Sequence, residues 1–368
     1  MSNWDNFINT IIHQSLTLNA GETVYVDIVG EVSQEFTDRL ATAILKIKAT
    51  PIFHFSPITL LKTQLIHGDA QFFDNLIQNE LPLLKQVDAY MSIRADQNIY
   101  ELQDVPAQKQ ELYTKHYALP KQMEIMEKKW LILKYPTEAL AQLAHLSIDQ
   151  FKRAFFKASS VNFKPLEPGI KSLQKRLATT KNVRVLSPHT DLTFSIHNMP
   201  SFVCTGTYNL PDGEIFTAPL LYSANGCITF NVPSSLLGTT YEHVKLQFEN
   251  GRIVKATCSQ QEQFNLLLQT DNGASYLGEF GIGFNPEILH PFGNPLFDEK
   301  MAGSIHLAIG QPYEMSDNGN KSNIHLDLIL CQIEEYGGGE LYFDDELIRK
   351  NGYFVPDHLH SLNPAKEG

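Results

Sequence analysis

The segment Asn323-Ile324-His325-Leu326-Asp327-Leu328-Ile329-Leu330 constrains this chain more than any other stretch. On a β-strand successive side chains point to opposite faces. Ile324, Leu326, Leu328 and Leu330 therefore pack to one side, while His325 and Asp327 project together from the other. Upstream, Ser304-Ile305-His306-Leu307-Ala308-Ile309 repeats the alternation, with His306 on the small polar face. Two such strands side by side bring two histidines and an aspartate to one spot. A lone buried histidine is ordinarily a hydrogen-bonded core residue. Three ligand-type side chains on the polar faces of apolar strands are costly to bury without a partner, and a metal ion is an efficient shared one.

The 368 residues are enough for two domains with sizeable cores. A net charge of -12 argues against nucleic acid as a partner, because phosphate neutralisation needs clustered Lys and Arg. Cys204, Cys227, Cys258 and Cys331 show no C-x-x-C spacing, so neither a zinc ribbon nor a disulfide framework is indicated. The N-terminal residues lack a basic segment followed by an apolar run, and no stretch has the length of a membrane span. A cytoplasmic protein without a membrane partner is expected.

The N-terminal half alternates strand-like and helix-like segments. Thr23 to Val29 reads as a strand, and Ser33 caps a helix whose stripe is Phe36, Leu40, Ile44 and Ile47. Pro51 closes that helix before a strand at Ile52 to Phe55. A helix around 70–80 follows, then strands near Val87 to Ile93 and at Trp130 to Leu133. Ser147-x-x-Gln150 forms a capping box for a helix through Phe151, Phe155 and Phe156. This alternation predicts an α/β fold, a three-layer αβα domain with a mostly parallel sheet over residues 1–185. Glu167 to Asn182 is the bridge. From 186 to 368 the chain predicts a strand-rich, mixed α+β metal-binding domain, with Asn250-Gly251 turning a hairpin between Val244–Phe248 and Arg252–Ala256.

Other residues of that domain extend the chemistry. Glu214 follows the Pro211-Asp212-Gly213 turn, and Glu279 sits in Gly278-Glu279-Phe280-Gly281-Ile282-Gly283, where glycines permit close backbone approach. The spacing of that glycine run fits neither the dinucleotide nor the P-loop pattern. Tyr313 lies where a strand runs out into a loop, and near a metal its hydroxyl could donate to a developing oxyanion. Asp344-Asp345-Glu346 reads as a solvated turn between strands, and His54, His67 and His290 have no supporting pattern.

The series Leu210-Pro-Asp-Gly-Glu-Ile-Phe-Thr-Ala-Pro219, Leu277-Gly-Glu-Phe-Gly-Ile-Gly283, Phe297-Asp-Glu-Lys-Met-Ala-Gly-Ser-Ile-His-Leu-Ala-Ile-Gly310 and Asn323-Ile-His-Leu-Asp327 resembles the thermophilic aminopeptidases, the aminopeptidase T family. The resemblance covers the C-terminal half by motif and the N-terminal half by its α/β texture. It implies two divalent metal ions held by Glu214, Glu279, His306, His325 and Asp327, with Tyr313 nearby. Zinc, cobalt and manganese all suit such a nitrogen and oxygen ligand set. It further implies a homodimer that takes short peptides; for the mechanism, Glu279, as a glutamate not fully used in ligation, is the expected general base and Tyr313 the expected oxyanion donor. Departures from the family pattern are a short Tyr313 to His325 segment and Asp344-Asp345-Glu346 in place of an Asp-Gly turn. Two rivals start from the same residues: a ring-cleaving dihydroxypyridine dioxygenase with one Fe(II) on His306, His325 and Asp327, and a noncatalytic metal-binding relative.

Overall fold

Thr23–Gly30 is an interior strand of a five-stranded sheet of order Thr50–Ser56, Thr23–Gly30, Ala89–Ala95, Lys129–Lys134 and Asn209–Leu210, every neighbouring pair parallel. The computed structural model describes residues 3–236 and 238–365. A parallel sheet is covered on both faces, which is why this strand is buried along nearly its whole length. The helices around this sheet pack in two groups, Asn3–Thr10, Gln34–Lys46, Glu138–Leu143 and Ile148–Ser159 in one, and Ile58–His67, Ala70–Leu84, Ala107–Tyr113 and Leu119–Met126 in the other. Ser33 accepts from the Phe36 amide, and Ser147 with Gln150 forms the complete capping box. Pro51 lies inside the Thr50–Ser56 strand, not ahead of it. That strand is the sheet's edge, where a missing N–H is tolerated.

Two compact units divide the chain: Met1–Ser160 with Gly206–Pro211, and Val161–Thr205 with Asp212–Gly368. The division drawn from sequence texture falls at 185/186, whereas by contact the second unit begins at Val161. The reason is the Glu167–Thr179 helix, whose Ile170, Leu173 and Leu177 join the apolar core of the second unit.

Parallel register sets Asp27 beside His54 in the first unit. Asp27 is buried and receives the Tyr90 hydroxyl at 2.6 Å and the Lys121 ammonium at 3.0 Å, while His54 Nδ1 lies at 2.9 Å. Lys121 also donates to Glu80 at 2.9 Å. Burial works against ionisation of Asp27, but His54, Lys121 and their neighbours outweigh it and hold the carboxyl below its ordinary 3.8. A depressed carboxyl stabilises the fold above its unfolded pKa and loses that contribution as pH falls through the folded one. Asp27→Asn should therefore cost about 3–5 kcal/mol near neutral pH, the usual penalty for breaking a buried ion pair. Denaturant titrations of both proteins should show the gap narrowing only in acid.

The second unit contains an eight-stranded antiparallel sheet, of order Arg252–Thr257, Lys245–Glu249, Asn225–Thr229, Thr190–Ser195, Asn182–Ser187, Glu340–Phe343, Glu346–Lys350 and Tyr353–Phe354. Asn250 and Gly251 have positive φ and turn the expected hairpin. Asp344 and Asp345 do the same between Glu340–Phe343 and Glu346–Lys350, so the acidic run is a turn, with Asp344 also accepting from the amides of Lys181 and Asn182. A second antiparallel sheet runs His325–Cys331, Ser304–Gly310, Leu277–Gly283, Glu214–Thr217 and Phe202–Cys204. Both sheets turn apolar side chains, among them Val185, Leu192, Leu246, Leu307, Leu326 and Leu328, into one core.

Candidate metal centre

Register builds the site on the five-stranded antiparallel sheet of the second unit. Asp327 pairs with Ala308 and Ala308 with Glu279; His306 pairs with Gly281, and Gly283 with Glu214. Directly opposed residues share a face of the sheet. Glu214, Glu279, His306, His325 and Asp327 thus stand on one face, with Gly or Ala between them, while Ile215, Phe280, Ile282, Ile305, Leu307, Leu326 and Leu328 fill the core on the other. Strict alternation would send Glu279 to the same side as Leu277, which is in the core. A register shift between Leu277 and Glu279 prevents this: Gly278 is the extra residue of a bulge, and it re-aims the carboxylate.

The glycine run has a second purpose. A Cβ at Gly281 would fall inside the imidazole of His306, and one at Gly283 would come 2.4 Å from the Met301 carbonyl oxygen and 2.6 Å from Ser304 Oγ. The sequence therefore spends its glycines on making room for a ligand ring and a chain reversal, in keeping with the absence of a nucleotide-loop spacing.

Glu279 lies between the two histidines. Its Oε1 is 3.2 Å from His306 Nε2 and its Oε2 is 3.7 Å from His325 Nε2. His306 Nε2 also lies 3.5 Å from Glu214 Oε2, and His325 Nε2 lies 3.4 Å from Asp327 Oδ1. The His325 Nδ1 is 2.7 Å from the Gln311 carbonyl oxygen. A proton on Nδ1 donates there and leaves Nε2 as a lone pair aimed at the carboxylates, the arrangement that fixes metal-binding imidazoles. Glu214 Oε2, Glu279 Oε2, His306 Nδ1 and His325 Nε2 are buried with no hydrogen-bond partner among the described residues. Such orphaned atoms are rare, and three of the four converge with the groups Glu214–Glu279–His306 and Glu279–His325–Asp327, whose ligand atoms lie within 4.8 Å of one another.

The electrostatics ask for positive charge. Burial raises the Glu214 and Glu279 carboxyls. Burial opposes protonation of both imidazoles, yet Glu279 and Glu214 push His306 up to about 9, and Asp327 and Glu279 push His325 up to about 10. Asp327 is held low despite its burial, chiefly by His325. A divalent cation answers this demand without a proton, and the donor set of imidazoles and carboxylates fits one.

Tyr313 precedes the short Glu314–Ser316 turn, with its ring centroid 5.3 Å from that of His325 and 5.4 Å from that of Phe216. Crowding of its phenol by protein, reinforced by Glu279 and Asp327, raises its pKa well above the ordinary value, although 48% of the residue is exposed. It stays a proton donor across the physiological range.

All six expected residues meet at this sheet face. His54, His67 and His290 belong to no ligand-type cluster among the described residues. Glu299 and Lys300, unassigned from sequence, join the site: Lys300 Nζ donates at 2.6 Å to both Glu214 Oε1 and Glu299 Oε1, and Glu299 groups with His306 and Asp327. Cys204 and Asp212 also flank Glu214. A run of charged residues such as Asp298-Glu299-Lys300 ordinarily marks a solvated turn, so only the flanking motif pointed there.

The match to known proteins is broad. A model of the thermophilic metalloprotease (M29) family matches residues 2–354. Aminopeptidase AmpS of Bacillus subtilis is 36% identical over 126 residues, 33% of this chain and 30% of that protein. Aminopeptidase PepS of Streptococcus thermophilus is 31% identical over 172 residues, 39% of this chain and 41% of that protein. Aminopeptidase T of Thermus thermophilus is 33% identical over 153 residues, 37% of each chain. The matched stretches span less than half the length of these relatives. Among solved structures, wild-type AmpT from Thermus thermophilus aligns with a TM-score of 0.80 at 21% identity, covering 96% of this chain and 99% of that one. The 2,5-dihydroxypyridine dioxygenase from Pseudomonas putida KT2440 aligns with a TM-score of 0.64 at 15% identity, covering 98% and 99%. At these identities both structures speak for the fold alone. With the family model running along nearly the whole sequence, the chain belongs to the thermophilic metalloprotease (M29) family.

Proposed function

We propose that this chain is a metal-dependent aminopeptidase that removes residues from the N-terminus of short peptides. Two divalent ions, zinc, cobalt or manganese, would be held by Glu214, Glu279, His306, His325 and Asp327. The observation that carries the reading is Glu279, set between two histidines whose other neighbours, Glu214 and Asp327, complete a cluster on either side. Family membership and the aminopeptidase names of the relatives support the reaction class.

Bound in such a cluster, divalent ions supply Lewis-acid polarisation and make water acidic enough to attack near neutral pH. The protein's part is proton handling and charge. Glu279, its carboxyl raised by burial, takes the proton of the attacking water and delivers it to the leaving amine. Tyr313, protonated throughout, donates to the oxygen that becomes negative as the peptide carbon turns tetrahedral. Tyr313→Phe should lower kcat by about 10²–10³-fold, the cost of losing one such donor, with KM for a dipeptide nearly unchanged.

Homodimeric assembly and a cytoplasmic location belong to the same reading. No helix among the described residues is long and apolar enough to cross a membrane.

The deciding experiment is metal content per chain on protein purified without chelator, then peptide turnover after chelation and return of zinc, cobalt or manganese. Two ions per chain with restored release of N-terminal residues is the expected result. One iron per chain with opening of a dihydroxypyridine ring and no peptide release would assign the dioxygenase chemistry instead. Retention of both Glu214 and Glu279 beside the His306, His325 and Asp327 set favours the hydrolase.

A further inference from the structure

Lys300 is only 1% exposed, an environment lysine almost never occupies unless paired. Its backbone is pinned, its N–H donating to the Phe297 carbonyl and its carbonyl accepting from the Asn285 amide. The ammonium is shared between Glu214 Oε1 and Glu299 Oε1. One oxygen of Glu214 is therefore neutralised by a fixed charge, while its other oxygen faces His306. No lysine or arginine makes an ion pair with Glu279 or Asp327 among the described residues; their ion-pair partners are His306 and His325, and Lys300, paired to Glu214 and Glu299, acts on Asp327 only through space.

We propose that Lys300 is a built-in counter-cation that makes the two metal positions unequal: the Glu279–His325–Asp327 position fills first and tightly, and the Glu214–Glu279–His306 position fills second and weakly. The inference rests on the metal-centre reading above. An ion approaching Glu214 meets a carboxylate already half satisfied and a like charge alongside it, and both lower its affinity. Buried and pinned, the lysine has no route by which to yield. At limiting divalent ion the chain then carries one ion, and the second becomes the exchangeable one.

The test is a titration of the metal-free full chain with zinc against a chromophoric chelator. The unsubstituted protein should show two steps of different affinity. Lys300→Met should tighten the weaker step by about 10–100-fold, the range over which outer partners move metal affinity, and leave the tighter step in place. Lys300→Gln keeps a donor for the two carboxylates and removes the charge; it carries the test if the methionine variant does not fold, as judged by near-ultraviolet circular dichroism. A lysine that merely orders the carboxylates would give the opposite sign, since its loss would weaken binding. A weaker step that is unchanged or looser in the folded variants overturns the proposal, as do two equal steps in the unsubstituted protein. Absence of any zinc binding there would overturn the metal-centre reading itself.

Discussion

Glu279→Gln is expected to lower kcat for peptide release by about 10²–10⁴-fold, the usual contribution of a positioned general base. The substitution is nearly isosteric and removes the charge from a fully buried carboxylate that lies between His306 and His325. Kinetics and metal content should be measured on the same preparation. An unchanged ion count with collapsed kcat assigns Glu279 chiefly to proton transfer. A fall in both assigns it chiefly to holding the ions. Turnover equal to that of the unsubstituted chain would remove Glu279 from the mechanism, and full turnover in His325→Ala would remove the site.

Gly281→Ala is the second large effect, and it involves no ligand atom. The strand pairing places Gly281 directly opposite His306, and the imidazole occupies the space a methyl group would need. Both backbones are held by neighbouring strands, so the ring must move. A displacement of about 1 Å at a catalytic group can cost on the order of 10²-fold in rate, and the overpacking itself should cost about 1–3 kcal/mol in stability. The expected outcome is a folded protein that has lost ion binding at the Glu214–Glu279–His306 position and most of its turnover. A variant with normal ion content and normal kcat would show that His306 is free to reorient.

The ligand face was legible because alternation with period two is local. Ile305, Leu307, Leu326 and Leu328 mark the core side of their strands, and His306, His325 and Asp327 follow on the other. Glu279 was found by its motif alone, since the bulge at Gly278 breaks the alternation that would have placed it. Glu299 and Lys300 were hidden because their burial comes from a chain reversal folded back against Glu214, a long-range event with no local signature. The Asp27 network was equally hidden: Asp27, His54, Tyr90 and Lys121 come from separate elements, and only the parallel register and the covering helices unite them. In the first unit, element types were read from periodicity, whereas partners awaited the sheet order.

The five proposed ligand side chains come from four neighbouring strands and so run across the grain of the sheet. Their spacing is set by the hydrogen-bonded pitch between strands, about 4.8 Å, and not by any single stretch of sequence. A partly folded chain with even one strand undocked offers an incomplete ligand set. In the two-ion reading, ion capture would follow the docking of these strands, and its binding free energy would count toward the native state. With the proposed ions in place, chelation should lower the midpoint of thermal unfolding as well as turnover.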